Sequence, residues 1–183
     1  MIEIDAFLYD TIRPVTWHDN GLRLLDQRQL PEQEVYLYIY STQALHEAIK
    51  NMLVRGAPAI GIAAAYGAVL AAKEASADDS KSFSEGFHHR LDLLASSRPT
   101  AVNLFNALKA AKQVLDPVNN LLSWANSWFE ADIIANKKMG LQAAQYLTGQ
   151  ANVLTHCNAG ALGTGGYGTA LGVIKTGVQL GLI

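Results

Sequence analysis

The segment Arg55-Gly56-Ala57-Pro58 places a guanidinium group directly before the predicted start of an apolar helix. The first turn of a helix has unpaired backbone N–H groups and the positive end of the helix dipole, so it favours anions. Glycine and alanine at this point would let a ligand approach the backbone closely. The segment therefore predicts an anion site, and the same residues would also suit a tight helix start packed against a neighbouring helix.

A second arginine precedes a second proline-started helix in the run Ser97-Arg98-Pro99-Thr100. Guanidinium groups bind phosphate oxygens in a fork of paired N–H groups. Arg55 and Arg98 could therefore hold one phosphate between them. A single arginine at a helix start is common on protein surfaces, so this hypothesis depends on the two side chains meeting.

Cys157 follows a short apolar run, 153–155, that predicts a β-strand, and it lies between His156 and Asn158. In open α/β sheets, ligands bind beyond the carboxyl ends of the strands, which is where Cys157 would lie. A lone cysteine is often only a small apolar filler. The polar neighbours leave a chemical role open beside that structural one.

The run 163–168 matches the dinucleotide pattern G-x-G-x-x-G. The acidic residue that would confirm it, about 20 residues further on, would fall beyond Ile183. The glycines also begin later after the predicted strand than that fingerprint requires, so nucleotide binding is the less favoured interpretation. No metal site is predicted, because His88 and His89 diverge on a helix and no cysteine or carboxylate completes a ligand set.

Composition excludes several classes of protein. The chain has 183 residues, 50% of them hydrophobic, enough for one sizeable domain or two small ones. Its net charge of −2 gives no footprint for nucleic acid or an anionic membrane, and its single cysteine excludes an internal disulfide. The acidic first residues, 1–5, do not resemble a signal peptide, and the charge-free run 56–72 predicts a buried helix rather than a membrane span. A soluble, cytoplasmic protein is expected.

The order of predicted elements is two strands, five helices, and then a strand, a glycine-rich turn and a last helix. The strands are Leu22–Asp26 and Val35–Tyr40, which are rich in branched and aromatic residues. Capping residues, prolines and apolar spacing predict helices that start near Ser41, Pro58, Asp78, Thr100 and Leu121, and a last one that starts near Gly168.

Charge and glycine divide the chain into two predicted domains, 1–148 and 149–183. The second segment has Lys175 as its only formal charge and holds nine of the fifteen glycines. A lone β–turn–α unit needs parallel neighbours, because parallel sheets are buried on both faces. The fold class expected is therefore α+β or α/β: a small N-terminal β-meander with a helical domain, followed by the first β–turn–α unit of a truncated Rossmann-like parallel-sheet domain. A domain-swapped or partner-completed sheet is the alternative.

Four runs of sequence together resemble the methylthioribose-1-phosphate isomerase family. They are Leu22–Gln27, Val54–Tyr66, Ser97–Leu104 and Leu154–Ile174, in the family's order and spread over nearly the whole chain. The superfamily also contains eIF2B-type regulatory subunits and ribose-1,5-bisphosphate isomerases. Asn106, Gly163 and Gly165 differ from the residues usual in the family, so the G-x-G-x-x-G match is interpreted as incidental.

The resemblance implies a site and a reaction. It implies that Arg55, Gly56 and Ala57 bind the substrate phosphate, that Arg98 is a second substrate-binding arginine, and that Cys157 is catalytic. The implied reaction is an aldose–ketose isomerisation of 5-methylthioribose 1-phosphate to 5-methylthioribulose 1-phosphate in methionine salvage. It implies no cofactor and no metal, a small-molecule sugar phosphate as the only ligand, and a homodimer.

The resemblance also implies that an aspartate acting as proton donor lies in the second domain, beyond Ile183. The 183-residue chain alone is therefore expected to be inactive or to bind phosphate weakly. The alternative function is a non-catalytic, eIF2B-like regulatory subunit, or a module that senses a sugar phosphate or nucleotide. The presence of Cys157 together with Arg55 and Arg98 favours catalysis. A chain that ends naturally at Ile183 would favour an interaction module.

Overall fold

The computed structural model describes residues 10–147 and 152–183. The strands are β1 (Val15–His18), β2 (Gly21–Leu25) and β3 (Tyr36–Ile39). The helices are α1 (Thr42–Lys50), α2 (Ala57–Ser76), α3 (Phe83–Ser96), α4 (Val102–Ala111), α5 (Pro117–Ala144) and α6 (Ala170–Gln179), with a short 3₁₀ turn at Ala161–Gly163. The sequence predicts β2, β3 and the six helices in this order, but it misses β1.

The three strands form an antiparallel meander in the order β1-β2-β3. Asp19 and Asn20, both with positive φ, form the two-residue connection between β1 and β2, as hairpin turns of this length require. Val15 lies opposite Leu24, and both are fully buried. The predicted small meander is therefore confirmed, and its buried face belongs to the hydrophobic core.

Helix α2 is the centre of the molecule. Almost all of its residues are buried, and it contacts α1, α3, α4 and α5. A helix that is apolar all round is stable only when it is surrounded. Its small residues allow close crossings: a methyl group at Gly61 would lie 3.2 Å from Cβ of Asn103 on α4. The prediction that the charge-free run is a buried helix is confirmed, and no helix in the described ranges is long and apolar enough to cross a bilayer.

Helix α6 packs on α5 through small residues. A methyl group at Gly140 of α5 would overlap Oγ1 of Thr176 on α6. The Tyr167 hydroxyl and the Thr176 hydroxyl are 2.7 Å apart and buried. This hydrogen bond joins the glycine-rich segment to α6, the helix that follows it.

The predicted strand at residues 153–155 is wrong: these residues form neither a helix nor a strand. Val153 is 43% exposed and Leu154 96% exposed. A strand needs a hydrogen-bonded neighbour, and the only sheet in residues 10–147 and 152–183 is the N-terminal meander. The described structure is therefore mixed α and β with a small antiparallel sheet and no parallel one. The predicted domain boundary between residues 148 and 149 lies outside the described residues.

Arg90 of α3 connects three helices through charged hydrogen bonds. Its Nε donates to Glu74 at 3.0 Å and its Nη2 to Asp78 at 3.1 Å. Glu74, near the end of α2, also accepts hydrogen bonds from the backbone N–H and the hydroxyl of Thr42 at the start of α1, at 2.8 and 2.6 Å. The arrangement fixes the relative positions of α1, α2 and α3.

Arg90→Lys is expected to lower the free energy of unfolding by about 2 kcal/mol, because a lysine cannot donate to several acceptors through a rigid fork. Urea unfolding of the variant measures this loss. The matched control is Lys112→Ala, which removes an exposed 3.3 Å ion pair with Asp92 and should change stability by less than about 0.5 kcal/mol. Equal losses in the two variants would contradict the structural role of Arg90.

Candidate functional site

The start of α2 presents backbone donors next to Arg55. Gly56 is the N-cap residue, with φ 93° and ψ 133°, and no side chain caps the first turn. The donors of that turn therefore lack the side-chain oxygen that usually accepts them. Arg55 precedes this turn and its side chain is exposed. The predicted anion site thus has its local geometry: a cation beside an uncapped helix N-terminus.

The segment that follows Cys157 packs directly on this helix start. A methyl group at Gly56 would overlap Cα and the carbonyl oxygen of Gly163, so the two backbones are in contact. The segment is closed on itself by an antiparallel bridge between Gly160 and Gly168. Positions 57 and 58 continue into α2, so the contact places the cysteine segment beside the first turn of this helix.

Arg55 lines a cavity of about 400 Å³. The other lining residues come from the loop after β2 and from the segment after Cys157; they are Gln27, Leu30, Pro31, Asn158 and Leu162. Gln27 closes one wall, because its side-chain amide donates to the carbonyl oxygen of Leu162 at 2.8 Å. The volume lies in the range of small-ligand pockets. The structure thus brings Arg55 together with the residue that follows Cys157.

Cys157 is exposed and has φ 72°. A positive φ is uncommon for a residue other than glycine, and such strained positions cluster at functional sites. Its carbonyl oxygen accepts the backbone N–H of Ala159 at 3.1 Å, which forms a tight turn. The thiol therefore lies on a turn and not at the end of a strand.

Arg98 is not among the described residues that line this cavity. It is half-buried in the connection between α3 and α4, and its carbonyl oxygen accepts the N–H of Ala101 at 3.0 Å. The two-arginine phosphate clamp therefore stays a prediction. The structure does show that Arg55 and residues of the Cys157 segment line the same cavity.

The glycines of the G-x-G-x-x-G run are in contact with protein groups. A methyl group at Gly165 would lie 3.0 Å from a carboxylate oxygen of Asp132, and one at Gly166 would lie 2.5 Å from the guanidinium of Arg13. Small residues are thus needed here for close packing of side chains on the backbone. The part of the chain that the structure describes also contains no cluster of His, Cys, Asp or Glu that could hold a metal ion.

Sequence reasoning missed Gln27 and Asn158 as cavity residues. Gln27 follows Asp26, a fully buried carboxylate at the end of β2. Asp26 accepts hydrogen bonds from Nε and Nη2 of Arg28 at 2.8 and 2.7 Å. The hydrogen bonds from Arg28 hold the pKa of the Asp26 carboxyl well below its ordinary range, against the opposing effect of burial. A buried acid followed by arginine is a local signal of such an ordered turn.

Asp26→Asn is expected to cost about 2 kcal/mol at pH 7, because hydrogen bonds to a charged acceptor become neutral ones. The pKa of Asp26 is lowered from the ordinary value of 3.8, so the unfolded chain takes up this proton first on acidification. The stabilisation is thus fully present above the unfolded pKa of 3.8 and is lost as the pH falls through the folded pKa. The difference in the free energy of unfolding between the two proteins should therefore shrink as the pH falls from about 4 to 2, and a constant difference would contradict this.

Comparison with known proteins places the chain in a characterised group. Residues 53–181 match the model of the initiation factor 2 subunit family. The methylthioribose-1-phosphate isomerase of Syntrophotalea carbinolica is 47% identical over 180 residues, which are 93% of this chain and 52% of the relative. That of Alkalilimnicola ehrlichii is 49% identical over 172 residues, with 91% and 50% covered. The chain spans about half the length of the curated relatives it matches.

Two solved structures are similar to the whole described fold. The 5-methylthioribose 1-phosphate isomerase of Pyrococcus horikoshii aligns with a TM-score of 0.86 at 34% identity, covering 100% of this chain and 54% of that one. The delta subunit of translation initiation factor eIF-2B from A. fulgidus aligns with a TM-score of 0.79 at 42% identity, covering 94% and 52%. The resemblance found in the four sequence runs is therefore confirmed.

Proposed function

Because the chain belongs to the initiation factor 2 subunit family, we propose that it forms the phosphate-binding portion of an aldose–ketose isomerase that converts 5-methylthioribose 1-phosphate to 5-methylthioribulose 1-phosphate. The observation that carries the proposal is the cavity shared by Arg55 and Asn158, the residue next to Cys157. Curated relatives at 47% and 49% identity carry the name of this enzyme. The relatives are about twice as long, so the activity is proposed for the whole protein.

In this proposal the substrate phosphate binds at the start of α2. Arg55 supplies a cation, and Gly56 and Ala57 supply a backbone that a phosphate can approach, next to the positive end of a 20-residue helix dipole. Arg98 contributes a second guanidinium to the substrate. A cavity of about 400 Å³ is large enough for a pentose phosphate beside this turn.

Cys157 acts on the sugar in this proposal. A phosphate on the anomeric carbon blocks spontaneous ring opening, so cleavage of the ring C–O bond must be assisted before hydrogen moves from C2 to C1. Cys157 serves as the proton carrier between these carbons or stabilises the transition state. Its exposed position on a turn beside Asn158 supports access to a bound sugar.

The proposal extends to the organisation of the whole protein. Residues 1–148 would form the first domain and residues 149–183 the start of a Rossmann-like second domain that supplies the remaining catalytic groups. The whole protein would be a cytoplasmic homodimer that needs no cofactor. The supporting observation is that each relative named above extends to about twice the matched length.

A hybrid enzyme tests the proposed function. Residues 1–183 replace the matched half of the Syntrophotalea carbinolica isomerase, and formation of the ketose phosphate is measured with the parent isomerase as positive control. Turnover within about tenfold of the parent would support the proposal, since a difference of that size corresponds to only about 1.4 kcal/mol in the barrier. A folded hybrid that binds the substrate but does not convert it would overturn the proposed catalysis.

The second candidate function is a non-catalytic regulatory subunit. It is favoured by the similarity to the eIF-2B delta subunit at a TM-score of 0.79. In that case the Arg55 cavity would bind a sugar phosphate or nucleotide without turnover. Calorimetric binding to the folded hybrid, together with an absence of ketose formation, distinguishes this function from the first.

A further inference from the structure

A second cavity, of about 350 Å³, lies between α2, α4 and α5. Its walls include Pro58, Ile62, Asn103, Asn106, Trp128 and Asp132. Arg55 lines the cavity described above, and Pro58, three residues further along the chain, lines this one. Residues just before and within the first turn of α2 therefore line two different cavities. The second cavity has no role in the proposed isomerisation.

One carboxylate oxygen of Asp132 accepts hydrogen bonds from the protein, and the other accepts none from the described residues. Its Oδ2 accepts the backbone N–H of Gly165 at 2.7 Å and the side-chain amide of Asn136 at 3.0 Å. No donor in residues 10–147 and 152–183 contacts its Oδ1. Every buried side-chain oxygen or nitrogen in these residues has a hydrogen-bond partner, so an oxygen without one is not buried. Oδ1 is therefore accessible to solvent, and Asp132 is a lining residue of the cavity.

Two further polar side chains of the cavity make no hydrogen bond to the described protein. The side-chain amides of Asn103 and Asn106 on α4 make no hydrogen bond within the described ranges. The Trp128 ring, Pro58 and Ile62 supply apolar walls. A mainly apolar cavity with a few polar groups directed at one space is the usual composition of a small-molecule site.

The electrostatics of this cavity are opposite to those of the Arg55 cavity. No lysine or arginine is among its described lining residues, whereas Asp26 contacts Arg28 and Asp10 contacts Arg13. Burial raises the pKa of the Asp132 carboxyl, against the opposing effect of the hydrogen bonds from Gly165 and Asn136. A carboxylate without a cationic partner in such a place favours a cation and disfavours a phosphate.

We propose that this cavity binds a small organic cation, a protonated primary amine, through Asp132, Asn103 and Asn106. An ammonium group has three N–H donors and no acceptor. These donors match the free Asp132 oxygen and the two amide oxygens that line the same cavity. The alkyl part of the ligand packs on Trp128, whose ring also attracts a cation. The site is independent of the proposed isomerase activity.

The proposal is tested by titrating the 183-residue chain with 1,4-diaminobutane at 0.15 M salt. Binding is measured by calorimetry and by tryptophan fluorescence. The neutral control is 1,4-butanediol, which has the same carbon chain without the charge. We expect the diamine to bind and Asp132→Asn to weaken binding by roughly tenfold or more, as for a hydrogen bond to a charged group. The variant keeps an oxygen for the Gly165 N–H, so its fold should be retained.

Asn106→Leu is the second variant, because Asn106 is exposed on α4 and its replacement should not affect folding. It should weaken diamine binding severalfold, and it keeps the proposal testable if Asp132→Asn does not fold. Absence of diamine binding at concentrations up to about 10 mM would overturn the proposal. So would binding to both variants that equals binding to the unsubstituted chain, or binding of the diol that equals binding of the diamine.

Discussion

Replacing Cys157 with alanine is expected to lower kcat of the hybrid isomerase by roughly 10²–10⁴-fold, the range that a positioned proton-transfer group contributes. The thiol is exposed, so its removal should cost little packing energy. KM should change much less than kcat, because Cys157 is proposed to act on the sugar carbons while the phosphate is bound elsewhere. Initial rates of ketose phosphate formation over a range of substrate concentrations measure both parameters.

The matched control is His156→Ala, which changes the exposed side chain immediately before Cys157. This variant should keep kcat within a few-fold of the unsubstituted hybrid, and circular dichroism should show both variants folded. A Cys157→Ala hybrid with undiminished kcat would show that the thiol takes no part in the reaction. The phosphate-binding part of the proposal would then be tested separately by substitution of Arg55.

Gly56→Ala is expected to lower the free energy of unfolding by about 3 kcal/mol or more. Gly56 has φ 93°, which residues with a Cβ rarely adopt, and its α-carbon contacts the backbone of Gly163. A methyl group would overlap Cα and the carbonyl oxygen of Gly163, and backbone atoms cannot rotate away as a flexible side chain would. The substitution should also separate the Cys157 segment from the start of α2 and weaken substrate binding.

Gly181→Ala separates backbone strain from steric overlap. Gly181 also has a positive φ, of 66°, but no atom lies within 4 Å of the position that its Cβ would take. The expected loss is about 1 kcal/mol, the cost of a left-handed conformation alone. Urea unfolding of the two variants gives the comparison. Equal losses would mean that the Gly56–Gly163 contact does not constrain the fold.

The segment that leads into α2 contributes a residue to each of the two cavities described above. On one side Arg55 and an uncapped helix N-terminus favour an anion. On the other, the free oxygen of Asp132 favours a cation. Gly56 lies between Arg55 and Pro58 in the chain and contacts Gly163, so Gly56→Ala should affect stability and ligand binding together.

The helices of this protein are encoded locally and could be predicted from the sequence. Pro58 and Pro117 lie in the first turns of α2 and α5, where proline is favoured because its missing N–H is not needed. The side chain of Ser41 caps α1 by accepting the N–H of Ala44. The absence of charge from Gly56 to Ala72 predicted a buried helix for the same kind of reason, since apolar surface must leave water.

The strand predicted at residues 153–155 shows the limit of local patterns. Val153 is β-branched and Leu154 is apolar, yet they are 43% and 96% exposed and lie outside any described sheet. Strand formation depends on hydrogen bonds to another segment, so a suitable sequence without an adjacent strand stays irregular. β1 shows the converse, because its four residues are ordered as a strand through pairing with β2.

By itself, the sequence determined the order of the helices and the family, and it nominated Arg55 as a phosphate ligand and Cys157, through the resemblance, as a proton carrier. Only the tertiary structure decided which groups share a cavity with them. Gln27 and Asn158 meet across 131 positions of the chain beside Arg55, and Asp132 reaches the glycine-rich segment through the N–H of Gly165. Helices form from contacts within a few residues, whereas a cavity depends on how separate elements pack, and that packing is set by the whole core.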